Sequence, residues 1–383
     1  MVSDLRAPQR VAIVHDFLYT MRGAERVLDA LCELYPAADL YTLIYRKGNL
    51  NPRIEDRRIV ASALDFIPGN HRWWLAFYPW AVSRFDLSGY DLVLSSSYAV
   101  AKGVTVPEGT LHVCYCHTPM RYIWDMYEEY FHATRKWRPV RSMLDSMANR
   151  LRSWDVRTAA GVDAFIANST TVAARIRRIY DRDSTIIHPP ADAEFFTPSS
   201  APREDWYLCA SAFSPYKRAD LVIEAFRKSG RKLKVVGAGQ DEKRIRRMCG
   251  GSVEFLGWLP NEALRDLYRR GRALVFAGEE DFGILPVEAQ LCGMPVVAFG
   301  KGGLRDSIVE GRTGLFFAEQ TVESLNAAVD RFEAAAIRPE DCRRNGERFS
   351  RPRFLEAMRS FIDGRVADFK SGRSSRMRAG SPA

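Results

Sequence analysis

The chain has 383 residues, a length that predicts two or three domains, and 46% of the residues are hydrophobic and 27% charged, a balance that excludes wholesale disorder, collagen and coiled coil. Its net charge is +9, and two stretches carry the whole excess: residues 134–157 hold seven Arg/Lys and two Asp, and residues 365–383 hold five Arg/Lys and one Asp. The rest is close to neutral and shows no RNP-like or helix-turn-helix motif, so no nucleic-acid partner is expected.

In chain order, residues 10–14 form a short apolar run that ends at His15-Asp16. Thr20-Met-Arg-Gly23-Ala-Glu25 follows, then a helical pattern at Val27, Leu28, Leu31, Leu34 and Tyr35. Strand, glycine turn, helix is the opening of a parallel α/β domain. Further strands are predicted at 39–45, 91–95, with a Ser-rich end, 111–116, ending at His117, and 163–167, the last of the domain. Asn168-Ser169-Thr170-Thr171 is an N-cap signal for a helix over 171–180. Two regions are less regular. Residues 73–80 pack five aromatics into eight positions, and residues 140–158 carry an apolar stripe at helical spacing flanked by arginines.

Pro189, Pro190, Pro198 and Pro202 with Ser199-Ser200 mark a linker over 188–205. A second α/β series then begins. Strands are predicted at 206–210, 233–236, 253–256, 273–276, 295–298 and 315–317. Helices are predicted near 217–228, 241–249, 261–271, 285–293, 304–309 and 322–335. This alternation means a doubly wound parallel sheet. Phe354, Met358, Phe361 and Ile362 stripe a last helix, and from Gly364 a polar, Arg-rich tail is expected to be disordered.

The seven cysteines are scattered and form no C-x-x-C pair, which reads as buried thiols in a reducing compartment. Residues 1–10 have no signal-peptide core, and no window reaches about 18 apolar residues. A cytoplasmic protein, able to rest on a membrane surface, is expected.

Parallel sheets bind ligands at the carboxyl ends of their strands, which singles out four loops. Gly23 opens a helix, where backbone amides can meet an anion or simply make a tight turn. His117 leaves a buried strand and is either catalytic or structural. Lys217-Arg218 opens a helix, where a cation makes sense if a phosphate lies between it and the free N–H groups; the alternative is a solvated pair. Glu280 and Glu288 flank the turn at Gly283, so two carboxylates are expected to face one crevice. Carboxylates suit sugar and ribose hydroxyls. Gly237-Ala-Gly239 and Gly300-Lys-Gly-Gly303 line the same edge. No D-x-D pair stands in a metal-binding context, so no metal or other cofactor is expected.

With these residues in place, the chain resembles the retaining glycosyltransferases of family 4, of GT-B fold, over about residues 10–363. The resemblance rests on E-x7-E at Glu280 and Glu288, P-Y-K-R at 215–218, G-W-L-P at 257–260 and G-x-T-G at 311–314. V-H-D-F at 14–17 and C-Y-C-H-T-P-M-R-Y at 114–122 add a likeness to bacterial mannosyltransferases of surface-polysaccharide assembly.

That resemblance implies two Rossmann-like domains facing across a cleft. Residues 1–190 would be the acceptor domain, joined by a returning helix at 350–364, and residues 205–349 the donor domain, with 365–383 a basic tail. It implies that Glu288 holds ribose hydroxyls, Glu280 contacts the transferred sugar, and the backbone of Gly283, Ile284 and Leu285 supports sugar and phosphate. Lys217 would neutralise the diphosphate, Gly23 would let the first domain touch it, and His117 would lie beside the sugar. Relatives often carry an Arg about five residues before the Lys; here the segment reads Ala210-Ser211-Ala212-Phe213, and Arg218 is the candidate replacement. Asp306 stands where Glu is commoner.

The implied reaction moves a hexose, with mannose from GDP-mannose favoured, to a saccharide or polyprenyl-diphosphate-linked saccharide. The alternatives are a UDP-sugar donor, or an epimerase or hydrolase on the same fold. The aromatic cluster, the basic run Arg135-Lys136-Trp137-Arg138 and the striped helix suggest an anionic membrane surface as a further partner.

Overall fold

The computed structural model describes Pro8 and residues 10–67, 71–128 and 138–372. The chain divides into two compact units, one formed by Met1–His188 with Leu355–Ala383, the other by Pro189–Phe354.

The first unit holds a seven-stranded, wholly parallel sheet in the order β3-β2-β1-β4-β5-β6-β7. Its strands are β1 Val11–Leu18, β2 Asp39–Tyr45, β3 Ile59–Ala61, β4 Leu92–Ser97, β5 Leu111–Cys116, β6 Ala164–Ala167 and β7 Ser184–Ile186. The central strands β1, β4 and β5 are buried along their whole length, because helices cover both faces of such a sheet. Sequence reading ends β1 at Val14. The strand in fact runs to Leu18, because His15 and Asp16 are buried polar residues with partners inside the fold. It also misses the short edge strands β3 and β7, so 163–167 is not the last strand of its sheet.

Ser169 caps the helix Thr170–Tyr180 by accepting the N–H of Val172 at 3.1 Å. The striped helix Arg138–Ala159 buries Ala148 and Leu151 and lays Met147 and Trp154 against the core. Gly103 makes room for it, since a Cβ there would stand 2.3 Å from the Trp154 ring. Met143 and Val156 remain exposed. Of the aromatic cluster, Tyr78 is buried, Trp74 packs partly on the core, and Phe77 and Trp80 are exposed. The basic residues at 135–137 lie outside the described residues.

The second unit holds a six-stranded parallel sheet, β10-β9-β8-β11-β12-β13. Its strands are β8 Tyr207–Ala210, β9 Leu233–Val236, β10 Val253–Gly257, β11 Leu274–Phe276, β12 Val296–Phe299 and β13 Gly314–Phe317. Both sheets start in the middle, wind outward to one edge, return and wind to the other. Each therefore has a topological switch point, between β1 and β4 in one and between β8 and β11 in the other.

Three expectations need correction. Much of the predicted linker packs in the second unit: Phe196 is buried against Tyr268, and the Arg203 guanidinium donates to the carbonyls of Tyr268, Gly271 and Cys292. A helix at Pro339–Gly346 is additional. The last helix, Arg351–Lys370, runs through Gly364 and buries Val366, so residues 365–370 are helix and not disordered tail; residues 373–383 lie outside the described residues.

Candidate active site

The second unit gathers its chemistry at the switch point between β8 and β11. After β8 the chain makes a short turn, Pro215–Lys217, and Arg218 follows in the left-handed region at φ 52° before the helix Ala219–Ser229 begins. After β11 it passes Gly278 to reach Glu279-Glu280. Gly278 is required by close approach: a Cβ there would stand 2.9 Å from the Cα of Lys217. With that Cβ absent, the two loops touch and the Lys217 ammonium donates directly to the Glu280 carboxylate. Burial works against the lysine's charge, but Glu280, Tyr216 and Asp281 outweigh it and hold its pKa above the usual value.

Gly283 then takes φ 88° and becomes the N-cap of the helix Ile284–Leu291. The left-handed backbone favours glycine. A Cβ would also lie 2.5 Å from the end of the Leu304 side chain, which would have to shift. The loop is pinned from the other side, where Gly303 donates its N–H to the Glu280 carbonyl at 2.8 Å. Among the described residues, no protein acceptor takes the N–H groups of Gly283, Ile284 or Leu285. Such groups at a helix start form a ready anion site, and the Lys217–Glu280 pair flanks the same loop.

The other expected residues fall as follows. Glu288 lies inside that helix and is wholly buried, so it does not line an open crevice beside Glu280. Arg218 turns to Asp220 on its own helix, at 3.4 Å. Gly237 sits at φ 148° beside Ser211, whose buried hydroxyl has no hydrogen-bond partner among the described residues.

The first unit has its own polar centre at the carboxyl ends of β1, β4 and β5. The Asp16 carboxylate accepts four backbone N–H groups, from Tyr98, Ala99, Val100 and Ala101, at 2.6–2.8 Å. Burial still leaves its pKa raised, against the lowering effect of those N–H groups and of His15. His117 follows β5, and its Nε2 lies 2.8 Å from Ser96 Oγ. The same hydroxyl lies 3.0 Å from Nδ1 of His15. Tyr115 and Tyr98 flank the His117 ring, with centroids at 5.1 and 6.1 Å. Burial first, and the neighbouring His15 second, push the His117 pKa down to about 3, so the ring is neutral. Gly23 opens the helix Gly23–Leu34, and a Cβ there would meet nothing within 4 Å. The fold does not itself require glycine at this position.

Sequence reasoning missed His15, Asp16, Glu25 and Ser96 as a connected set. The available signal was the Ser95-Ser96-Ser97 run at the end of a buried strand, where buried hydroxyls need partners.

Residues 21–195 match the family described as Glycosyltransferase Family 4, and residues 191–349 match Glycosyl transferases group 1. The D-inositol 3-phosphate glycosyltransferase of Gordonia bronchialis is 30% identical over 246 residues, 54% of this chain and 53% of that one. The protein of the same description from Mycobacterium marinum is 26% identical over 56% of this chain and 53% of its own. The chain thus spans about half the length of these curated relatives. Among solved structures, sucrose-phosphate synthase from Thermosynechococcus elongatus superposes with a TM-score of 0.70 at 18% identity, covering 94% of this chain and 99% of that one. Anabaena HepE, solved in complex with UDP, gives 0.65 at 15% identity, covering 92% and 100%. At these identities the structures establish the fold, two Rossmann-like domains of GT-B type.

Proposed function

We propose that the chain, whose two domains match the family-4 and group-1 glycosyltransferases, is a retaining hexosyltransferase that uses a nucleotide-sugar donor. The observation that carries the reading is the Lys217–Glu280 pair set beside the open N–H groups of Gly283 to Leu285 at a sheet switch point. As the sugar leaves, charge develops on the nucleoside diphosphate. A fixed ammonium and fixed amides stabilise that charge without reorganising. Glu280 is the sugar's hydroxyl acceptor while it shares the Lys217 ammonium with the phosphate. Glu288, wholly buried in this structure, holds the ribose only if its carboxylate is uncovered when the nucleotide binds, and Arg218 is the second phosphate ligand if it leaves Asp220. Gly23 has room on its open face for a phosphate oxygen, and His117 contacts the transferred sugar. No side chain here is assigned as a covalent nucleophile. Front-face substitution, with the donor phosphate taking the acceptor's proton, accounts for retention. The test is turnover: Lys217→Ala is expected to lower kcat/KM by about 10²-fold or more, and wild-type kinetics in that variant would remove the site.

GDP-mannose is the donor we favour, on the V-H-D-F, C-Y-C-H-T-P-M-R-Y and P-Y-K-R phrases, with a glycan or polyprenyl-diphosphate-linked saccharide as acceptor. A UDP-sugar is the second reading, favoured by the fold neighbour solved with UDP and with UDP-glucose. Turnover of a UDP-sugar with no response to GDP-mannose decides for it. The protein's place of work in this proposal is the inner face of the cytoplasmic membrane. Exposed Phe66, Phe77 and Trp80 on the first unit support this, together with the +5 stretch at 134–157, since each basic residue near an anionic leaflet adds about 1 kcal/mol. No helix among the described residues is long and apolar enough to cross a membrane. Co-sedimentation with anionic liposomes at low salt, abolished by reversing Arg135, Lys136, Arg138 and Arg141, is the expected result. Failure of the wild-type protein to bind overturns it.

A further inference from the structure

Four side chains of the first unit form a line: Glu25, His15, Ser96, His117. Glu25 Oε1 lies 3.6 Å from His15 Nε2. His15 Nδ1 lies 3.0 Å from Ser96 Oγ, and Ser96 Oγ lies 2.8 Å from His117 Nε2. His15 and Ser96 have no exposed surface, and Glu25 and His117 have under a tenth of theirs. Glu25 is anchored at its other oxygen, which accepts the Arg22 N–H at 3.0 Å. Among the described residues, no group takes up His15 Nε2 by a closer hydrogen bond. Among the described residues nothing hydrogen-bonds His117 Nδ1, and that atom is not among the sealed ones.

A serine hydroxyl has one proton to give, and a neutral imidazole has one N–H and one lone pair. With both rings neutral the line therefore has two self-consistent settings; a second proton on His15 would impose the second of them on His117. In one, His15 carries its proton on Nε2, Ser96 donates to His15 Nδ1, and His117 donates from Nε2 to Ser96, leaving Nδ1 of His117 as a bare acceptor. In the other, every proton is reversed, and His117 carries its N–H on Nδ1. The Glu25 carboxylate chooses between them. An anion 3.6 Å from His15 Nε2 attracts an N–H there and repels a lone pair, as the partner of one ring nitrogen sets the state of the other.

We propose that Glu25, His15 and Ser96 are positioning residues that fix His117 as the Nε2–H tautomer, so that its Nδ1 accepts a hydrogen bond from a substrate hydroxyl. This rests on the placement of His117 beside the transferred sugar, although the tautomer itself does not. Neutrality of His117 supports it, since burial keeps the ring from taking a second proton at physiological pH.

Histidine ¹⁵N NMR of the full chain reads the tautomer without any activity assay. The protein has six histidines, and His117→Gln and His15→Gln assign the two signals. Wild type is expected to show a pyrrole-type Nε2 and a pyridine-type Nδ1 for His117; the reverse pattern overturns the proposal. Glu25→Gln keeps an oxygen for the Arg22 N–H and offers His15 Nε2 an amide donor, so it should flip the line and exchange the two ¹⁵N signatures. Ser96→Ala should leave His117 averaging between tautomers. A His117 signature unchanged in both variants also overturns it. In Glu25→Gln, kcat should fall about 10-fold, the cost of one misdirected hydrogen bond, with nucleoside-diphosphate affinity unchanged. A flipped tautomer with wild-type kcat would refute the link to substrate while leaving the relay intact. Loss of turnover in His117→Gln tests the site reading separately.

Discussion

Replacing Glu280 by Gln separates a donor site from a structural ion pair, because the two readings predict opposite signs. In the free protein Lys217 is already occupied by Glu280, and both side chains are about one-seventh exposed, at 14% and 16%. A diphosphate must share that ammonium with the carboxylate. Two anions gripped from opposite sides by one ammonium, at ordinary charge-assisted hydrogen-bond lengths, stand about 6 Å apart. At an effective dielectric constant near 20 their repulsion is about 3 kcal/mol. Discounting by half for solvent at the site leaves about 1.5 kcal/mol, or about 10-fold in Kd. Titration calorimetry with GDP and UDP should therefore show Glu280→Gln binding the preferred nucleotide about 10-fold more tightly, while transfer falls because the sugar loses a carboxylate. Lys217→Ala should bind at least about 10²-fold more weakly, since it removes a charge-assisted hydrogen bond and leaves Glu280 facing phosphate. The double variant should recover roughly the Glu280 increment. Unchanged or weaker nucleotide binding in Glu280→Gln would refute this account of the pair.

Three further outcomes follow from the structure. The folded-state pKa of His117 lies below its unfolded value, at about 3 against about 6.5, so the unfolded chain takes up the proton first and stability falls as pH drops through that window. The slope approaches about 1.4 kcal/mol per pH unit below about pH 5.5, and it should lessen in His117→Gln when denaturant unfolding is compared at about pH 5.5 and 4.5; equal slopes would contradict the assignment. Lys102 is buried with its ammonium 2.8 Å from Asp155, while Trp124 and Tyr180 donate to the other carboxylate oxygen. Lys102→Met strands that charge and should cost about 3–5 kcal/mol of stability by chemical denaturation, and a loss under 1 kcal/mol would show the network to be dispensable. Six of the seven cysteines are buried, and burial pushes Cys209, Cys292 and Cys342 up to about 12. A thiol reagent should modify at most Cys249 in the native protein, whereas rapid reaction of several thiols would contradict the packing.

The parallel sheets were legible in the sequence because their central strands are mostly apolar runs bounded by turn residues, as at β2 and β5, whose predicted bounds coincide with the structure. Hydropathy failed where buried polar residues replace apolar ones. β1 continues four residues past Val14 because His15 is paired through Ser96 and Asp16 through four amides, and pairing at a sequence distance of about eighty residues leaves no local trace. The three-residue edge strands β3 and β7 carry too few positions for a period to register. Helix 351–370 continues through Gly364 because Val366 reaches the core, a tertiary gain that outweighs the glycine's cost of about 1 kcal/mol. At the site, Lys217, Glu280 and Gly283 were visible as a lysine at a helix start and a carboxylate beside a glycine turn. Their mutual contact was not, since it depends on Gly278 letting two loops meet across the switch point.

The most direct test is release of nucleoside diphosphate when wild-type protein is given GDP-mannose and, in parallel, UDP-glucose, with Lys217→Ala as the control. The account predicts that one of the two donors releases its nucleoside diphosphate and that the variant loses about 10²-fold or more of that rate. Equal release by wild type and variant, or release from neither donor nor from any other nucleotide sugar, would contradict it.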